Sequence, residues 1–197
     1  MNLKYNLINI FPVPIHVFDI DQFDKVQNDL IEYSYNLRDK DKLSVRRSNY
    51  GGWQSTPFYL DDRTDKIQDF LITCLTSFPC IKEEIKIYPT AWININNPGS
   101  FNLKHNHPTS DLSGVLWIKC PENCGNIVFE SPLCFETFNE IDSYKQDFKD
   151  NNRYDHSYYF PPVEGRIIIF PSHLEHEVRE NLSNEDRISI SFNIKLS

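Results

Sequence analysis

The segment FNLKHNHPTSDLSG, residues 101–114, sets His105 and His107 on either side of a single asparagine. On extended backbone, residues i and i+2 project from the same side, roughly 6.5–7 Å apart along the chain. Converging side chains can close that gap around one ion, because metal–imidazole bonds run to about 2.0–2.1 Å. Two imidazoles do not complete a site, so another ligand must come from elsewhere. Residues 165–193, GRIIIFPSHLEHEVRENLSNEDRISISFN, offer one: a strand-like run ends at Pro171, and His173 and His176 follow on a short turn. The next run opens with Arg187, whose planar fork suits a carboxylate, and Ser189 adds a hydroxyl on the same face. The two segments together would supply a metal and an anion clamp. The competing reading makes these turn histidines solvated and pairs Arg187 on the surface with Asp186 or Glu185.

Positioning such groups requires strands, and the chain beyond residue 80 reads that way. EIKIYPTAWININN, SGVLWIKC, GNIVFES, GRIIIFPS and RISISFNIKL are short β-branched and aromatic runs parted by Pro, Gly, Asn and Asp. The last run alternates Ile188, Ile190, Phe192 and Ile194 with Arg187, Ser189, Ser191 and Asn193. AWININ likewise alternates Ala91, Ile93 and Ile95 with Trp92, Asn94 and Asn96. Such polar faces ordinarily meet water, or else they line a partly polar interior that holds a ligand. Alternation cannot decide between the two.

Before residue 80, FPVPIHVFDI (11–20) reads as an extended edge segment. Helices are expected over 21–39, capped by Asp21, and over 62–78, capped by Thr64. The turn-rich RRSNYGGWQST (46–56) parts them, and the polar stretch 137–160 reads as a long insertion or lid. The expected architecture is mainly β with flanking helices, one domain over 1–197, with a helical flank at 21–78 and a β core at 85–197.

The chain has 197 residues, a 40% hydrophobic fraction and a net charge of −8. That charge disfavours general attraction to nucleic acid or anionic lipid. No apolar run reaches spanning length and no signal-peptide core opens the chain, so a soluble, cytoplasmic protein without membrane contact is expected. Five cysteines form an odd set, and Cys120 and Cys124 in CPENC have three residues between them and no second ligand pair. Free thiols are expected there rather than a zinc knuckle.

Four ordered blocks carry a resemblance: WININNPGSFNLKHNHPTSDLSGV, PENCGNIVFESP, FPSHLEHEVREN and RISISFN. Over roughly residues 88–194 they resemble the 2-oxoglutarate- and iron(II)-dependent oxygenases, and a small branch of them with H-x-H-P…S-G-V and F-P-S…H…R-I-S-I-S-F-N. The resemblance extends more weakly to IFPVPIHVF and SNYGGWQS. It implies a double-stranded β-helix, or jelly-roll, core holding iron between two sheets. His105 matches the first metal ligand and His176 the distal one, while Arg187 with Ser189 matches the clamp for the far carboxylate of 2-oxoglutarate. The family's usual triad has a carboxylate where His107 stands, but the resembled branch also carries H-x-H. Asp111 is a substitute ligand ranked below His107. His173, displaced along the turn, is a minor candidate for a place beside the ligands or toward the substrate, with its role left open, and His16 and His156 fall outside the site.

The resemblance further implies oxidative decarboxylation of 2-oxoglutarate coupled to oxidation of a small-molecule or peptide substrate, usually hydroxylation. Asn94 and Asn96 become candidate donors to the co-substrate's C1-carboxylate or to a ligand histidine, with Trp92 and Trp117 walling the cavity. A homodimer through the helical flank is compatible with this pattern. The alternatives are a cupin-like metal or carboxylate-binding module without redox activity, and a three-histidine dioxygenase that needs no 2-oxoglutarate.

Overall fold

A computed structural model describes residues 3–62, 64–76, 79–133 and 139–197. Cys134, parts of the helix expected over 62–78 and the first residues of the 137–160 stretch lie outside the described residues. In chain order the elements are β1 (His16–Asp19), α1 (Asp24–Lys40), β2 (Asn49–Tyr50), β3 (Trp53–Gln54), β4 (Phe58–Tyr59) and α2 (Lys66–Thr76). There follow β5 (Ile87–Asn96), β6 (Phe101–His105), β7 (Leu112–Lys119) and β8 (Ile127–Glu130). A 3-10 turn (Asn139–Ser143) and α3 (Gln146–Asn152) precede β9 (Ser157–Phe160), β10 (Arg166–Pro171), β11 (His176–Val178) and β12 (Arg187–Leu196).

The strands form two antiparallel sheets that make a jelly roll. The major sheet runs β1-β10-β7-β12-β5-β3, with β4 also on β5, and the minor sheet runs β2-β6-β11-β8-β9. The expected edge segment is β1, at one margin of the major sheet, with Pro12 and Pro14 ahead of it in irregular chain.

Helices α1 and α2 cover the outer face of the major sheet, against β7 and β5. Leu30, Leu71 and Leu75 meet Ile93, Ile190 and Phe192 there in one apolar core. Each fully buried side chain of this kind contributes about 1.5–3 kcal/mol. The helix starts differ from expectation. Asp65, not Thr64, caps α2, its Oδ1 accepting from the Ile67 and Gln68 amides at 2.9 Å. Thr64 instead donates to Asp62. No side chain caps α1, which follows Phe23 rather than Asp21. Backbone bonds from Lys25 to Gln22 and from Val26 to Phe23 close that turn without an aspartate.

Two other segments are more regular than their composition suggests. The turn-rich stretch holds β2 and β3, and Gly51 and Gly52, with φ of 67° and 65°, carry the chain from the minor to the major sheet. A Cβ on Gly52 would lie 2.7 Å from the Ile95 carbonyl oxygen, so the crossing also needs the missing side chain. The stretch read as an insertion ends in β9, a minor-sheet strand paired with β8 from Ile127↔Phe160 to Glu130↔Ser157. Phe160 stacks on Trp117 with a 6.2 Å centroid separation. That part is an edge strand of the minor sheet, not a lid. No described helix is long and apolar enough to cross a membrane.

Candidate metal and anion site

Strands β6 and β11 pair with His176 directly opposite His105. Between that pair and Val178↔Asn102 the register shifts by one residue, a bulge on β6 that turns Asn102 and His105 to the same side. His107 lies just past β6, its amide donating to the Ser172 carbonyl at 2.8 Å. The imidazoles converge: ring centroids are 4.4 Å apart for His105–His176, 5.0 Å for His105–His107 and 5.3 Å for His107–His176. One ring nitrogen from each lies within 4.8 Å of the others, a set that could hold a metal ion.

The surroundings prepare these rings as ligands. Nδ1 of His105 lies 2.7 Å from the Leu103 carbonyl, and Nδ1 of His176 lies 2.9 Å from that of Leu174. A carbonyl only accepts, so the network assigns the proton to Nδ1 and leaves Nε2 of each of these two rings unprotonated. Burial lowers all three imidazole pKa values from the usual 6.5, to about 4 for His107 and about 3 for His176. Neutral rings therefore need not lose protons to bind metal near pH 7. His107 makes no side-chain hydrogen bond among the described residues and rests beside Trp92, 5.9 Å between centroids.

The histidines open onto a cavity of about 720 Å³ between the sheets. Arg187, Ser189, Asn94 and Asn96 line it, as do Trp92 and Trp117. The polar faces of β5 and β12 therefore point inward. Arg187 is 2% exposed, and its Nη1 donates to the carbonyls of Cys124, Gly125 (3.2 Å) and Arg179 (3.3 Å). Its Nη2 is buried without a partner among the described residues. Burial lowers the Arg187 pKa, with no described carboxylate near enough to offset it. A buried unpaired donor on a cation costs several kcal/mol unless something answers it, and a carboxylate in the cavity would. The surface ion pairs considered for Arg187 do not form, because Glu185 binds Lys119 at 2.7 Å and Asp186 accepts from Tyr35 at 3.1 Å.

Other candidates fall away from the site. Asp111 accepts from the Leu196 amide at 2.9 Å, at the far end of β12. His173 is exposed and does not line the cavity, so the minor reading that put it beside the ligands or substrate gains no support. His156 sits 4.0 Å from Asp142, and His16 beside Cys80, both outside the site. None of the described residues of 139–160 lines the cavity. Cys120 and Cys124 are free thiols.

Three contributors escaped the sequence reading. Ser48 Oγ stands 3.3 Å from Nε2 of His105 and accepts from Asn102 Nδ2 at 3.2 Å. Gly125, at φ 90°, presents one of the carbonyls that hold Arg187, and a Cβ there would meet the Arg179 carbonyl oxygen at 2.2 Å. Ser191 accepts from Asn94 Nδ2 at 2.9 Å. Each lies in a segment the sequence had marked, Ser48 in SNYGGWQS, Gly125 in PENCGNIVFESP and Ser191 in RISISFN, but none by its role.

Residues 90–193 match the family model described as "Putative 2OG-Fe(II) oxygenase". The chain belongs to the 2OG-Fe(II) oxygenase family. This oxygenase is accordingly an oxidoreductase that depends on iron(II) and 2-oxoglutarate, and the donor set and orphaned guanidinium nitrogen fit both. The cupin-like module without redox activity is not favoured. No match was found among curated protein sequences.

Solved structures share the fold. A prolyl-4-hydroxylase from Pseudomonas putida aligns over 93% of this chain and 92% of its own, at 14% identity and a TM-score of 0.57. A Trichoplax adhaerens prolyl hydroxylase, in complex with a hypoxia-inducible-factor peptide, covers 92% and 83%, at 12% identity and 0.60. The carbocyclase SnoK from nogalamycin biosynthesis covers 92% and 79%, at 10% identity and 0.61.

Proposed function

We propose that the oxygenase is a hydroxylase whose iron sits on His105, His107 and His176, with the far carboxylate of 2-oxoglutarate on Arg187 and Ser189. The observation that carries this reading is the buried, unpartnered Nη2 of Arg187 in the same cavity as three converging neutral imidazoles. When bound, iron(II) and 2-oxoglutarate supply the oxidation, in which decarboxylation to succinate is coupled to insertion of oxygen into the substrate. The chain's part is orientation and exclusion of water. The Leu103 and Leu174 carbonyls fix two rings by their Nδ1 protons. Three backbone carbonyls hold the guanidinium still while leaving Nη2 for the ligand. Asn94 and Asn96 supply further donors from β5. The helical flank and sheets act as one domain, since they share a core. The substrate is a small molecule or a peptide.

His107 in place of a carboxylate has a consequence. Three imidazoles bring no negative charge to iron(II), whereas two histidines and a carboxylate would bring one. Metal retention should therefore depend strongly on 2-oxoglutarate. Succinate release from 2-oxoglutarate under iron(II) and oxygen tests the reading. Slow substrate-free turnover is expected in the parent and its loss in Arg187→Ala; absence of turnover in both, or equal turnover in both, would refute it. A higher melting temperature with iron(II) plus 2-oxoglutarate than with chelator is expected alongside.

A further inference from the structure

The charge lining the cavity opposes the charge of the chain. The protein carries 28 Asp and Glu against 20 Lys and Arg, yet no described acidic residue lines this cavity. Four cations do: Arg187 at the floor, and Arg46, Arg47 and Lys104, all exposed, at the mouth. No described carboxylate pairs with any of the three at the mouth. Iron(II) and dianionic 2-oxoglutarate cancel in formal charge, and neutral imidazoles add none. Nothing in the loaded centre therefore answers the rim.

The rim is also tied to the centre. Asn49 of β2 pairs with Asn102 of β6, and the Ser48 carbonyl accepts from the Leu103 amide at 2.8 Å. The Arg47 amide donates to Asn49 Oδ1 at 2.8 Å, which fixes the turn leading into that pairing. Arg47 immediately precedes Ser48, whose hydroxyl lies 3.3 Å from Nε2 of His105, and Lys104 immediately precedes His105 itself. All three cations line the same cavity as His105, His107 and His176. Cations gathered at the mouth of a low-dielectric cleft focus field and raise the local concentration of anions.

We propose that the primary substrate is anionic and docks a carboxylate, sulfate or phosphate group on Arg46, Arg47 and Lys104 beside the iron-binding histidines. The inference rests on reading the cavity as the oxygenase site. It makes these three residues specificity determinants, separate from the co-substrate clamp at Arg187.

The test is calorimetric titration of the full-length protein with manganese(II) in place of iron and saturating 2-oxoglutarate. The probes are sulfate, the peptide triglutamate and, as a control of opposite charge, trilysine. Sulfate and triglutamate distinguish a compact oxyanion from peptide carboxylates. At least one should bind, at least tenfold more weakly to the Arg46→Ser/Arg47→Ser/Lys104→Ser variant, and more weakly as salt is raised. Manganese affinity should be unchanged in that variant, and 2-oxoglutarate, held directly by Arg187, should lose much less affinity than the probe anion does. Binding of neither anion, equal binding to parent and variant, or preference for trilysine would overturn the proposal. Rim-dependent anion binding by a parent that holds neither manganese nor 2-oxoglutarate would support the rim while removing the oxygenase-site assignment.

Discussion

The two faces of the major sheet are both interior, yet they are built from opposite chemistry. Toward the helices, β12 presents Ile188, Ile190, Phe192 and Ile194, each at most 1% exposed. Toward the minor sheet it presents Arg187, Ser189, Ser191 and Asn193, which line the cavity. The first face contributes stability by burying apolar area; the second gives some up by burying a guanidinium nitrogen without a partner. Polar residues on a buried face, with helices already covering the other, are the signature of a ligand site in this fold.

The contrast can be broken from either side. The largest effect is expected from Phe192→Ala on the dry face, which should cost about 3–5 kcal/mol of stability, read as a lowered urea midpoint. Folded molecules should still bind 2-oxoglutarate. Arg187→Leu should do the reverse: about 2–4 kcal/mol of 2-oxoglutarate affinity lost, with stability of the ligand-free protein held or raised. A parallel fall in stability would show that Arg187 is structural.

Acid probes the wet face differently. His107 and His176, with pKa values of about 4 and about 3, stay neutral when folded, while unfolded imidazoles titrate near 6.5. Between pH 6.5 and about 3 the unfolded chain therefore binds more protons, so metal-free stability should fall as pH drops through that window. His176→Asn should flatten the slope of melting temperature against pH. The smallest effect is expected from Ser189→Ala, a loss of about 0.5–1.5 kcal/mol that would appear as a few-fold higher KM for 2-oxoglutarate.

The major sheet was legible in the sequence because its strands β5, β7, β10 and β12 are long and apolar on at least one face. Of the minor sheet only β8 was, as GNIVFES: β6 and β11 are short and largely polar, and the aromatic β9 is embedded in a polar stretch. His105 and His107 stood out by residue type and spacing, whereas the choice of His176 over His173, and of a clamp over a surface ion pair for Arg187, came from the family resemblance, and the structure brings the four to one cavity. Which way the polar faces pointed was open, since alternation states that two sides differ and not which is inside. The supports were least visible, because Cys124, Gly125 and Arg179 act through backbone carbonyls that any residue carries. Asp65 displaced Thr64 as a cap for a similar reason: both types cap well, and geometry chose.

The most direct test of the three-histidine centre is X-ray absorption spectroscopy of the iron(II) protein with 2-oxoglutarate under anaerobic conditions. The expected first shell holds three imidazole nitrogens at about 2.0–2.2 Å, with oxygens from 2-oxoglutarate, and loses one imidazole in His107→Ala. A shell with two imidazoles and a protein carboxylate, unchanged in that variant, would contradict it.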